Sequence, residues 1–145
     1  MSGDNMVTSM SHFLAAPLVV LSLIGLAGCG GREAYQVTGR VQYKDGSPIS
    51  GGVRVIQFQP AADTTAEIHK AASGNIAPDG SFELFTRRPG DGVIAGKYTV
   101  TFTVLSKPMG GQSLIPERFN YPDTTPFEIV VDENKEGLLF ELEKL

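Results

Sequence analysis

The sequence predicts an all-β protein: an antiparallel Greek-key β-sandwich of about seven strands, placed after an N-terminal signal peptide. Three observations carry this expectation. From Tyr35 onward, short stretches alternate apolar and polar residues with a period of two. Turn-forming residues separate those stretches, with 17 Gly and 9 Pro in 145 residues. No segment longer than about one turn repeats apolar residues at the spacing of an amphipathic helix.

The first element is an address. Phe13 to Ala27 is apolar except for Ser22, with Pro17 and Gly25 inside it. As a helix, that stretch would span roughly 22 Å at about 1.5 Å per residue. A bilayer core of roughly 30 Å asks for more. The length suits the apolar region of a signal peptide, and Ala27 and Gly28 let a protease approach the backbone. Residues 1–12 carry no Lys or Arg. A start at Met6 or Met10 would leave the amino terminus as the main positive charge. Cys29 is the only cysteine, so no intrachain disulfide explains it. Leu26-Ala27-Gly28-Cys29 resembles the lipobox of bacterial lipoproteins. That resemblance implies cleavage before Cys29 and lipidation of its sulfur. The expected organisation is a signal peptide over 1–28, a short tether over 29–34 and one β-sandwich domain over 35–145.

The strands follow in order. Tyr35, Val37, Gly39, Val41 and Tyr43 share one face, and Gln36, Thr38, Arg40 and Gln42 share the other. Lys44-Asp45-Gly46-Ser47-Pro48 reads as a turn. Over Val53 to Gln59 the alternation breaks phase, which predicts a bulge or burial on both faces. Ala61 to Thr65 is a polar loop, and Ala71 to Ala77 a short strand. Pro78-Asp79-Gly80 turns the chain into a strand marked by Phe82 and Leu84. Arg88-Pro89-Gly90-Asp91-Gly92 is the next loop. Lys97 to Leu105 is the cleanest strand, with Tyr98, Val100, Phe102 and Val104 opposite Thr99, Thr101 and Thr103. Residues 106–125 form a long connection with one helical turn at Pro116 to Phe119. Phe127 to Val131 and Leu138 to Glu143 are expected to close the domain as a hairpin around Asp132 to Gly137.

All 12 Lys and Arg, and 15 of the 16 Asp and Glu, lie after Cys29. The processed chain would therefore carry a mildly negative charge. There is no basic stripe with interleaved aromatics and no base-reading motif, so nucleic acid is not an expected partner.

Several turn and strand signatures together resemble one group. These are Val37-Thr38-Gly39-Arg40-Val41, Asp45-Gly46-Ser47-Pro48-Ile49, Val55-Ile56-Gln57-Phe58 and Gly74-Asn75-Ile76-Ala77-Pro78-Asp79-Gly80-Ser81-Phe82. Pro89-Gly90-Asp91-Gly92, Ala95-Gly96-Lys97-Tyr98-Thr99-Val100, Ile115-Pro116-Glu117-Arg118-Phe119 and Phe127-Glu128-Ile129-Val130-Val131 complete the set. The chain is similar to small bacterial lipoproteins with a carboxypeptidase-regulatory-like, transthyretin-like (prealbumin-like) β-sandwich. The resemblance implies the fold and implies no activity. A transthyretin-like hydrolase carries a C-terminal Tyr-Arg-Gly-Ser and active-site histidines. This chain ends Glu141-Leu142-Glu143-Lys144-Leu145, so that reaction is the least favoured reading.

Candidate sites are few. Asp132, Asn134, Glu136, Gly137 and Glu143 approach the spacing of a calcium loop, with Glu where Asp or Asn is usual. The alternation of Leu138, Phe140 and Leu142 with Leu139, Glu141 and Glu143 reads instead as a strand after a solvated turn. Arg87 and Arg88 are candidates for an anion or a carboxylate-bearing glycan, and Phe119 and Tyr121 for stacking on sugar. Each is weighed against ordinary loop packing. His69 is the only histidine after Cys29. It lacks the companions that a zinc site or a nucleophilic triad requires.

The expected function is that of a non-catalytic binding or structural module, exported and lipid-anchored to the cell envelope through Cys29. A carbohydrate or small-ligand binder using the 106–125 loop is the alternative. No cofactor and no resident metal are expected. The partners are the membrane and an envelope protein, cell-wall polymer or glycan. In the proteobacterial lipoproteins that the Leu26-Ala27-Gly28-Cys29 stretch resembles, an Asp after the cysteine favours inner-membrane retention; Gly30 and Gly31 stand there instead, so the resemblance implies the outer membrane.

Overall fold

A computed structural model describes residues 33–145. The signal segment 1–28 and Cys29 lie outside the described residues. Nine strands follow in chain order: β1 (Ala34–Tyr35), β2 (Val37–Tyr43), β3 (Val53–Pro60), β4 (Ala72–Asn75), β5 (Ser81–Leu84), β6 (Val93–Ile94), β7 (Gly96–Leu105), β8 (Glu128–Val131) and β9 (Lys135–Leu142). A 3-10 turn at Glu117–Phe119 is the one helical element among the described residues. Seven of these strands fall where the alternation and turn signals place them. The other two, β1 and β6, are two residues each and pair with one another.

The fold is the all-β sandwich that the sequence predicts. One sheet has the order β5-β2-β9 and the other β4-β3-β7-β8. Their inner faces meet in one core. Val37, Val41, Phe82, Leu84, Phe140 and Leu142 come from the first sheet, and Ile56, Phe58, Tyr98, Val100, Phe102 and Val104 from the second. Burial of this kind supplies the main favourable term in folding, at about 25 cal/mol per Å² of apolar surface.

β7 shows the link from pattern to packing. Tyr98, Val100, Phe102 and Val104 are buried. Thr99 and Thr103 on the opposite face are half-buried, while Thr101 at mid-strand is buried as well. A central strand is flanked on both sides, so even its outer positions lose much of their contact with water. β3 pairs with β7 in unbroken register from Val53↔Leu105 to Pro60↔Tyr98. The phase break therefore needs no bulge. Ile56 and Phe58 enter the core, while Val53 and Val55 are half-buried on the outer face.

Two expectations are corrected. β8 and β9 do not form a hairpin: β8 pairs with β7 in the four-stranded sheet, and β9 with β2 in the three-stranded one. The link between them is fixed to the segment joining β1 and β2. The Asn134 side-chain oxygen accepts from the Gln36 N–H at 2.9 Å, and the Lys135 N–H donates to the Gln36 carbonyl at 2.9 Å. These bonds carry the chain across to the other sheet. Secondly, β2 and β9 run parallel, whereas every other strand pair described is antiparallel. Register between them shifts between Val37 and Gly39, opposite Gly137, whose φ is 69°. Glycine takes that left-handed backbone without steric penalty.

Candidate functional site

A cleft of about 610 Å³ lies at the end of the four-stranded sheet where β7 begins and β8 ends. Its walls come from segments distant in sequence: Glu33 before β1, the 63–68 stretch of the β3–β4 loop, residues 94–97 at the β6–β7 corner, and Val130 to Asp132. Ala66, Ile68, Ile94, Ala95 and Val130 supply apolar surface, with the buried Val131 behind them. Glu33, Asp63, Glu67 and Asp132 place four carboxylates around it, with Lys97 the one cationic residue among the described residues that line it. Volumes of this order hold small molecules or a few peptide residues.

Each wall is held for a reason. The Ala61 N–H donates to the Lys97 carbonyl at 2.9 Å, and the Lys97 N–H donates to the Thr64 hydroxyl oxygen at 3.1 Å. These bonds fasten the loop to β7. The buried Tyr98 hydroxyl donates to the Ile94 carbonyl at 2.7 Å and fixes the corner below. Burial pushes that phenol above its ordinary pKa. The Lys97 ammonium lies 2.7 Å from Asp63 and 3.4 Å from Glu128. Its bond to Asp63 holds the Asp63 carboxyl below the usual range and raises Lys97 above its own. Asp132 is held low in the same way by Lys135, 2.9 Å away. The hydroxyl of Tyr35 donates to Glu33 at 3.1 Å, and that bond raises the Tyr35 pKa.

The residues singled out from the sequence go to different places. Cys29, Leu26, Ala27 and Gly28 lie outside the described residues. Asp132 and Glu143 flank opposite ends of β9, about 25 Å apart at roughly 3.3 Å per residue, so the calcium-like spacing is not gathered into one shell. Asn134 is occupied with Gln36, as described above. Glu136 is exposed in the first part of β9. Glu143 pairs with Lys44 at 2.6 Å and with Arg118. Among the described residues no group of three or more His, Cys, Asp and Glu is placed to hold a metal ion.

Arg87 and Arg88 are exposed on the loop after β5, but their backbone is organised by an acid. The Asp91 carboxylate accepts from the N–H groups of Thr86, Arg87 and Arg88 at 2.8, 2.9 and 3.1 Å. Partial desolvation raises the Asp91 pKa, and these three donors, with the Arg88 charge, outweigh it and hold the carboxyl low. Phe119 is 2% exposed and stacks on Phe127 at 5.8 Å, with the Arg118 guanidinium 4.7 Å from its ring centre. Tyr121 is 54% exposed. The two rings therefore do not form a shared stacking platform. A smaller cleft of about 340 Å³ passes Phe119 and Phe127 between Arg118, Lys44 and Glu143. His69 is exposed on the β3–β4 loop.

Sequence reasoning missed the larger cleft. Its five charged members are scattered over four separated segments, and each alone reads as a solvated surface residue. Comparison with models of known families, with curated proteins and with solved structures finds no match.

Proposed function

We propose that this chain is an exported lipoprotein whose β-sandwich works as a non-catalytic binding or structural module at the cell envelope. Cys29 carries the reading. It is a lone cysteine behind Leu26-Ala27-Gly28 and an apolar stretch too short to span a bilayer as a helix. Two or three acyl chains on its sulfur would make attachment effectively permanent, since each buried methylene contributes about 0.8 kcal/mol. The mechanism is display: the lipid holds the domain at a membrane, and the domain presents its cleft and sheet edges to a partner.

Chain length gives the display a direction. Three residues lie between Cys29 and Glu33, so four Cα-to-Cα steps separate them, a reach of at most about 14 Å at roughly 3.5 Å per step. Glu33 lines the cleft of about 610 Å³. An anchored domain would thus hold that cleft close to the lipid surface. The apolar floor and carboxylate rim suit binding of a cationic, partly apolar group.

The test is the mass of the processed N-terminus in cells. The expected result is a chain beginning at Cys29 with added acyl mass, recovered in the membrane fraction. A free thiol on a chain still beginning at Met1, Met6 or Met10 would overturn the anchor. Cys29→Ala should move the protein out of the membrane fraction.

A further inference from the structure

Among the described residues β8 is the edge strand of its sheet, paired with β7 on one side. Val100 donates its N–H to the Phe127 carbonyl at 2.9 Å. Antiparallel pairs alternate between bonded and non-bonded positions. With Tyr98↔Ile129 and Gly96↔Val131 in register, the alternation turns the backbone groups of Ile129 and Val131 toward β7. Those of Glu128 and Val130 point away, to the open edge. An edge of this kind is a template for one more strand. Val130 is also 51% exposed, an uncovered apolar side chain at that edge.

The edge runs into the cleft described above, and the chemistry there narrows what can bind. Val130, Ile68 and Ile94 offer apolar surface, while Glu67, Asp132 and Glu33 offer negative charge around it. A lysine side chain has this same division, with an apolar stem and a cationic head.

We propose that the open edge of β8 and the adjoining cleft dock an extended, lysine-bearing segment of a partner protein as an added strand. The partner's backbone bonds to Glu128 and Val130, its lysine stems cover Val130 and Ile68, and its ammonium groups face Glu67 and Asp132. The proposal rests on the display reading for where the partner is met, and on the edge and cleft for how it is held.

The test uses the full chain in detergent and a fluorescein-labelled heptapeptide alternating lysine with valine, read by fluorescence anisotropy at low salt. Binding is expected. Glu67→Lys should weaken it about tenfold, because charge reversal at the rim opposes an ammonium head. Val130→Pro should abolish it. The Val130 N–H faces the open edge, so proline there leaves the ladder to β7 intact. A probe of the same sequence with alternate backbone nitrogens methylated keeps every charge and cannot pair as a strand, so it should not bind. Equal binding of the methylated probe overturns the proposal in favour of a bare cation pocket. Self-association of the chain that excludes the probe assigns the edge to a second copy and also overturns it. The methylated probe decides the matter even if the proline variant fails to fold. Cys29→Ala should leave probe binding unchanged, so failure of the anchor and failure of the docked strand read out separately.

Discussion

The Lys97 ammonium lies 2.7 Å from the Asp63 carboxylate and ties the β3–β4 loop to β7 at the cleft. The pair is solvent-accessible, so its contribution to global stability is small. Its effect is local, because it restrains a loop whose residues 62–71 are all exposed or half-buried.

Lys97→Met should therefore speed hydrogen exchange at amides 65–70 while the Ala61 amide, bonded to the Lys97 carbonyl, stays protected. The pH dependence has a definite sign. The Asp63 carboxyl is held below its ordinary value by Lys97, so the stabilisation is present above about pH 3.9. It is lost as pH falls through the lowered value. Lys97 is raised, so its share persists to high pH and goes only as pH rises past that raised value. Protection factors for amides 65–70 in the parent chain should fall in acid, and those of Lys97→Met should stay flat. Equal acid dependence in both would refute the role assigned to the pair.

Asp91 offers a second titrating restraint. Its carboxylate receives three backbone N–H groups from the loop carrying Arg87 and Arg88. Asp91→Ala should lower Tm by a few degrees, and Asp91→Asn, which keeps one acceptor oxygen, by less. Because this carboxyl is also held low, the gap between parent and Asp91→Ala should be full at neutral pH and narrow as pH falls through the lowered value. Thermal melts at neutral and acid pH check this.

Much of the fold was legible because one physical rule writes it locally. A strand with one buried face must alternate, and Lys97–Leu105 does so over nearly its whole length. The Pro78-Asp79-Gly80 turn was equally plain. What stayed hidden was partner choice. Leu138, Phe140 and Leu142 mark an inner face, but nothing in their order says that the strand beside them is β2, or that it runs parallel. Asn134 looked like a possible metal ligand because its spacing was seen without Gln36, which uses it. Phe119 looked available because a lone aromatic in a Pro-rich connection does not announce its Phe127 neighbour. The cleft was invisible for the same reason, since Glu33, Glu67, Lys97 and Asp132 meet only after the sheets form.

Phe140 is the aromatic hub between the sheets. Its ring centre lies 5.4 Å from Phe127, 5.6 Å from Phe102, 6.1 Å from Phe82 and 6.5 Å from Phe58. Removing it opens a cavity that rings from both sheets cannot all collapse into. Phe140→Ala should cost about 3–5 kcal/mol, a large share of the roughly 5–15 kcal/mol that holds a typical domain folded. Phe140→Leu should cost clearly less. Urea denaturation followed by circular dichroism measures both, and equal losses would mean that the ring itself is not what binds the two sheets.

Gly46 and Gly80 occupy the same place in two copies of one turn, and they should respond differently to one methyl group. In each, an Asp side-chain oxygen accepts from the Ser N–H two residues on at 2.9 Å, Asp45 to Ser47 and Asp79 to Ser81. Both glycines are left-handed, at φ 82° and 88°. An L-residue in that conformation costs roughly 1–2 kcal/mol. A Cβ on Gly46 would have nothing within 4 Å, so Gly46→Ala should lose only that amount. A Cβ on Gly80 would run into the Val41 carbonyl oxygen, with the Arg40 side chain 3.2 Å away. The Gly80 carbonyl accepts from the Val41 N–H at 2.8 Å, so relieving the clash would strain the contact that joins the turn to β2. Gly80→Ala should thus be the more destabilising by at least about 1 kcal/mol, measured by urea denaturation of the two variants side by side. Equal losses would show that backbone conformation alone sets the cost and that the approach to β2 can relax freely.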